Sequence, residues 1–136
     1  LDALKKSNLP VNENLIQQAN NKDDSLSVTS GLMKSDFPPD AFFTVNDNVA
    51  AGSMVMLKSL GFKIPDDVAV VGFTDDPGIC TIVDPPLSSV HQPGFEIGVE
   101  SAKILLNFLD SGIDHPETIT LNTKLIIRES SLRKKQ

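Results

Sequence analysis

Two polar clusters sit directly behind apolar runs in this sequence. Asn46-Asp47 follows Ala41-Phe42-Phe43-Thr44-Val45, and Thr74-Asp75-Asp76 follows Val68-Ala69-Val70-Val71-Gly72-Phe73. Together they offer amide, hydroxyl and carboxylate groups, which suit a hydroxyl-rich ligand such as a sugar. A plainer account stays open for both: Asn46 and Asp47 cap a helix, and residues 74–77 make a turn. Catalytic chemistry finds less support. His91 and His115 are far apart, each near a proline, and neither has the spacing of a zinc-binding helix. Cys80 has no Gly-rich elbow and no neighbouring base to activate it as a nucleophile. Asp66-Asp67 and Asp75-Asp76 are adjacent pairs, and adjacent side chains in a strand or turn point apart. No Gly-rich loop is present to cradle a phosphate, and Gly52 and Gly72 read as close-packing positions. Binding without catalysis is the expected activity, with no metal or cofactor.

The elements that must hold these groups follow from the apolar pattern. Residues 23–34 predict a helix with Asp23, Asp24 and Ser25 as capping chemistry and Leu26, Val28, Thr29, Leu32 and Met33 as its apolar side. Phe37-Pro38-Pro39-Asp40 ends it. Residues 41–45 read as a buried strand, and 47–60 as a helix that Asn46-Asp47 caps and Gly61 stops. This helix is apolar nearly all round, so it needs cover on more than one side. Residues 68–73 form a second buried strand. Strand, helix, strand implies a parallel pair with a right-handed crossover, hence an α/β fold on a parallel sheet. In such sheets ligands bind beyond the carboxyl ends of the strands, which places both polar clusters side by side. Pro85-Pro86 excludes a helix or central strand there, and residues 87–90 make a short strand or linker. Residues 93–110 predict an amphipathic helix with Phe95, Val99, Ala102, Leu105, Leu106 and Leu109 on one side. Residues 119–127 alternate as a strand whose buried face carries Ile119, Leu121, Thr123, Leu125 and Ile127.

Composition narrows the function further. With 136 residues and 40% hydrophobic side chains, one compact unit with a real core is expected. Twelve basic against 18 acidic residues leave a net charge of -6, which repels a nucleic-acid backbone. The basic cluster Arg133, Lys134 and Lys135 reads as a solvated end. A lone cysteine excludes an internal disulfide and favours a reducing compartment, the cytoplasm. No apolar run approaches the roughly 20 residues of a membrane span, and no signal segment opens the chain, so no membrane partner is expected. The chain starts on Leu1 within a helical pattern (Leu1, Ala3, Leu4), from which we expect a preceding segment.

With these elements in place, an ordered set of segments resembles the lactose/galactose-repressor family of bacterial transcription regulators. The matching text is Pro39-Asp40-Ala41-Phe42-Phe43, Val45-Asn46-Asp47, Ala50 to Gly52, Leu60-Gly61-Phe62 and Ile64-Pro65-Asp66-Asp67-Val68. It continues through Val70-Val71-Gly72-Phe73, Pro85-Pro86-Leu87-Ser88-Ser89-Val90, Gln92-Pro93, Gly98, Ala102, Leu105-Leu106 and Arg128-Glu129-Ser130. Order and spacing hold from Pro39 to Ser130, and more loosely back to Leu1.

The resemblance implies the C-terminal portion of a periplasmic-binding-protein-like effector domain. Residues 1–90 would belong to its C-terminal subdomain, 91–120 to a crossover helix segment of the N-terminal subdomain, and 121–136 to a return strand and tail. A small-molecule effector, a sugar, would lie between the subdomains and touch Asn46, Asp47, Thr74, Asp75, Gln92 and Asn20. Two positions depart from the family pattern. Thr74 stands where an Asp commonly follows the aromatic residue, and Asn20 where many members stack an aromatic ring on the sugar. A homodimer would form through Ala51, Met54, Val55, Ile79 and Ile82, and DNA would be reached only through an N-terminal headpiece. A sugar-uptake binding protein of the same fold is the alternative, although Leu125-Ile126-Ile127-Arg128-Glu129-Ser130 resembles the repressor branch.

Overall fold

The computed structural model describes residues 2–112 and 118–133. Leu1, His115, Lys134 and Lys135 lie outside the described residues. The elements run α1 (Asp2–Lys6), α2 (Lys22–Met33), β1 (Ala41–Phe43), α3 (Asp47–Ser59), β2 (Ala69–Thr74), α4 (Pro77–Cys80), β3 (Ser88–His91), α5 (Gly94–Ser111) and β4 (Lys124–Ile126). Short 3-10 turns occupy Glu13–Leu15 and Glu129–Ser131.

The sheet has the order β1-β2-β3-β4. β1 pairs in parallel with β2 (Ala41 opposite Ala69, Phe43 opposite Val71), and β2 in parallel with β3 (Thr74 opposite His91). β4 runs antiparallel to β3, with Ser89 opposite Ile126, so the sheet is mixed. The β1-α3-β2 unit is the parallel strand-helix-strand read from the sequence. Its core lies between α3 and the sheet: Ala50, Met54, Leu57, Val68, Val70, Cys80 and Leu87 are buried together. Gly61, at φ +87°, ends α3 in the left-handed region where a side chain is disfavoured.

Several expectations need correction. α2 begins one turn-position earlier than its acidic pair suggested, because Asn21 is the cap: its Oδ1 accepts from the Asp24 N–H at 2.9 Å. Its fully buried residues are Ser25 and Thr29 rather than the aliphatic ones. The cause is that α2 packs on α3, where Thr29 Oγ1 donates to Ser53 Oγ at 3.0 Å and Gly52 lets the Lys22 carbonyl and Ser25 hydroxyl approach. β1 is not a buried strand. It is an edge strand, and Phe43 on its outward side is 70% exposed. The last strand is limited to three residues, and Leu125 and Ile127 are exposed while Ile126 is half-buried. As an edge strand it has one covered face, and the covered face is the opposite of the expected one. Arg133 is exposed, and its guanidinium also donates to the Pro65 carbonyl at 3.1 Å and to the Asp40 carbonyl, tying residue 133 to the start of β1. α5 is amphipathic as read, and its apolar side, including Phe95, Leu105, Leu106 and Leu109, is exposed. Among the described residues no helix is long and apolar enough to cross a membrane.

Gly72, in the middle of β2, has a packing role. A methyl group there would overlap Asp47 Oδ1 and come within 3.1 Å of Leu87 Cδ2. Gly72→Ala is therefore expected to lower the unfolding free energy by about 2–3 kcal/mol, the usual cost of overfilling a packed interior. Urea unfolding measures it, and an unchanged midpoint would mean that Asp47 has room to move.

Candidate functional site

The polar clusters do meet at the carboxyl ends of β1, β2 and β3, as parallel pairing requires. Asn46 ends the connection from β1 and caps α3, its Oδ1 accepting from the Val49 N–H at 3.0 Å. The capping account is thus part of its role. Its amide nitrogen is not used in that bond. Asn46 and Asn20 line one open cavity of about 630 Å3, bordered by residues 15–20, α2, the end of β1 and the first turns of α3. Thr74 and Gln92 form a second pair: the Gln92 N–H donates to the Thr74 carbonyl at 3.3 Å. Gln92 lines a separate cavity of about 380 Å3 with Phe73 and Ile97, so it is not brought to the cavity of Asn20 and Asn46.

The two carboxylates expected to face a ligand both have partners within the protein. Asp47 is 1% exposed; its Oδ2 accepts from the Asp76 N–H at 2.8 Å and its Oδ1 from the Ser89 hydroxyl at 2.6 Å. The space opened by Gly72 lets it sit there. Asp75 Oδ1 lies 2.8 Å from Arg128 Nη2, and Oδ2 lies 3.4 Å from His91 Nδ1. The Arg128 contact is one of charge: no N–H is aimed well enough at Asp75 Oδ1 for a hydrogen bond. The second guanidinium nitrogen of Arg128 donates to the Leu87 carbonyl at 2.8 Å.

These bonds hold an unusual turn. Thr74 and Asp75 have φ of +121° and +62°, a region that side chains rarely enter. Each such residue costs about 1–3 kcal/mol and persists only where its surroundings enforce it. Here the Asp75 N–H donates to Ser89 Oγ at 3.1 Å, the Asp76 N–H to Asp47, and the Asp76 side chain caps α4 through the Gly78 N–H at 2.8 Å. Sequence reasoning assigned no role to Ser89 or Arg128, since both act through contacts distant in the chain. Their place within Ser88-Ser89 and Arg128-Glu129-Ser130, segments shared with the repressor family, was the available signal.

Of the residues expected at a dimer contact, Val55 and Ile82 are 52% and 75% exposed, and Ala51 and Ile79 are half-buried. Met54 is 2% exposed and belongs to the core, because the helical period puts it with Ala50 and Leu57 on the sheet side of α3. Among the described residues no group of three or more metal-ligating side chains comes together.

Polar groups gathered beyond the carboxyl ends of parallel strands define a ligand-binding lobe, and the periplasmic binding protein-like domain family matches residues 1–131. Within that class the chain belongs to the lactose/galactose-repressor family. The HTH-type transcriptional repressor PurR of Vibrio parahaemolyticus is 30% identical over 129 residues, 94% of this chain and 38% of that protein. The solved transcriptional regulator CelR-cellobiose complex superposes with a TM-score of 0.88 at 28% identity, covering 96% of this chain and 40% of that one. A LacI family transcriptional regulator from Lactobacillus casei with bound sucrose gives a TM-score of 0.78 at 31% identity, covering 96% and 48%. The chain spans about two fifths of the length of that PurR and of the probable regulators EndR of Paenibacillus polymyxa and ExuR of Bacillus subtilis.

Cys80 reports on the buried network beside it. Burial, and then the charge of Asp47, push its thiol from an ordinary 9.0 up to about 12. The thiol is neutral in the folded protein and ionises at its ordinary value once unfolded. Unfolded chains thus hold fewer protons between pH 9 and about 12, and stability must fall as pH rises through that window. Native protein is expected to resist thiol reagents at pH 8 and to react fully in denaturant. Rapid labelling of the native state would show that Cys80 is not sealed against α3 and Asp47.

Proposed function

We propose that this chain is the effector-binding and dimerisation region of a lactose/galactose-repressor-type transcription regulator, and that its effector is a sugar. The observation that carries the reading is the meeting of Asn20 and Asn46 at one cavity, with Thr74 and Gln92 at the neighbouring strand ends. The solved relatives with cellobiose and sucrose support a carbohydrate ligand. In this reading residues 1–90 form most of one subdomain, 91–120 belong with a second, and 121–136 return to the first. The exposed apolar side of α5 is then covered by the second subdomain. The protein acts in the cytoplasm as a binding protein rather than an enzyme, and reaches DNA through a headpiece N-terminal to this region.

Asn46 separates ligand recognition from stability. Ser caps a helix about as well as Asn but lacks the carboxamide. In the full-length protein Asn46→Ser is expected to weaken effector binding by about 1–3 kcal/mol while leaving the thermal midpoint nearly unchanged. Calorimetry showing unchanged affinity would return Asn46 to a purely capping role.

The same reading puts the two-fold contact on the exposed side of α3 and on α4, through Ala51, Val55, Ile79 and Ile82. Val55→Asp combined with Ile82→Asp is expected to convert the dimer to a monomer in light scattering, without loss of helical content. A wild-type protein that is already monomeric at high concentration would overturn this part of the proposal.

A further inference from the structure

The turn at Thr74 and Asp75 is held from a direction that neither polar cluster suggests. Asp75 Oδ1 lies 2.8 Å from Arg128 Nη2, and the side chains of Arg128 and Asp75 are 20% and 13% exposed. Arg128 follows β4. Its backbone N–H donates to Ser88 Oγ at 2.7 Å, and its side chain donates to the Leu87 carbonyl at 2.8 Å. This residue thus joins the start of β3 and the segment after β4 to the loop that follows β2.

That loop in turn sets groups at the ligand edge. The Gln92 N–H donates to the Thr74 carbonyl at 3.3 Å, and Gln92 shares its cavity of about 380 Å3 with Phe73, the residue before the turn. Arg128 and Asp75 border neither this cavity nor the one beside Asn46, so any effect of Arg128 there must pass through the turn. Of the other charged groups near the loop, Asp76 is exposed and caps α4 through the Gly78 N–H. His91, 3.4 Å from Asp75 Oδ2, stands opposite Lys124 of β4. Among the described residues Arg128 is the only permanent cation within 4 Å of Asp75.

We propose that Arg128 is a positioning residue for effector recognition: its charge holds Asp75, and through Asp75 the turn that places Thr74 and Gln92. Two successive residues at positive φ need such enforcement. The contact also has the character of a joint. No N–H is aimed at Asp75 Oδ1, so the attraction is Coulombic and falls slowly with distance, whereas a hydrogen bond weakens steeply once misaligned. The pair therefore keeps its hold while the turn and residues 124–128 shift relative to one another, and its partial burial limits screening. The proposal rests on the effector-binding reading and adds a residue outside the cavities.

The full-length protein tests it through Arg128→Gln, Arg128→Lys and the uncharged pair Arg128→Gln with Asp75→Asn. The pair leaves no lone charge buried, so it carries the comparison if Arg128→Gln alone fails to fold. Amide hydrogen exchange reads the turn without any ligand. In Arg128→Gln and in the uncharged pair, exchange at Asp75 and Asp76 is expected to rise about 10-fold or more with α3 unchanged. Arg128→Lys should restore most of the protection, because the contact is one of charge. Unchanged exchange at the turn, a rise shared by all of α3, or no rescue by lysine would overturn the proposal. Calorimetry with cellobiose, sucrose, glucose and ribose reads recognition. A sugar that binds the wild type is expected to bind Arg128→Gln and the uncharged pair about 10-fold more weakly, and Arg128→Lys within about threefold. Equal affinity across the four proteins would overturn the positioning role while leaving effector binding intact. No binding of any of these sugars by the wild type up to about 10 mM, the weak end of specific recognition, would overturn both.

Discussion

A carboxylate placed in the interior must find donors, and the arrangement around Asp47 is the consequence. Its two oxygens reach β3 through the Ser89 hydroxyl and the β2-α4 loop through the Asp76 N–H. Because Asp47 is the first residue of α3, these two bonds join a helix start, a strand and a loop at one point. Either partner lost alone would leave a buried charge short of a donor, which is far costlier than losing an exposed pair. The glycine at position 72 and the serine at 89 are both dictated by this carboxylate: one leaves it room, the other gives it a proton donor.

The same network shapes the loop at the carboxyl end of β2. The turn at Thr74 and Asp75 takes two left-handed residues in succession, and its backbone N–H groups are held by Ser89 and Asp47. That turn rotates Asp75 toward Arg128, whose other nitrogen is fixed by the Leu87 carbonyl. Asp75 is thereby held between Arg128 and His91.

Behind the sheet, the end of the chain is bound by hydroxyls. Ser130 Oγ donates to the Val70 carbonyl and accepts from the Ser88 N–H, and Ser88 Oγ contacts Arg128 and Ser131. Both serines are fully buried. Residues 128–131 thus bridge β2 and β3 where their pairing begins, and place Arg128 beside Asp75. The contrast with α5 is instructive. That helix has a long apolar side and no buried residue among those described.

Much of this architecture was legible in the sequence because it depends on short-range pattern. Continuous apolar runs marked β1 and β2, Asn46 and Gly61 bounded α3, and the run of elements forced a parallel pair. The segments shared with the repressor family placed Asn46 and Thr74 at strand ends. What the sequence could not decide was the direction of side chains governed by contacts between distant positions. Asp47 and Asp75 were read as ligand groups, and nothing local to them foretold their contacts with Ser89 and Arg128. Met54 was read as surface and is core, and Ser25 and Thr29 outrank the aliphatic residues of α2 in burial. Residue type and local period determine which elements form; the tertiary structure alone brings together the partners that satisfy each buried polar group, and so decides which groups remain free for a ligand.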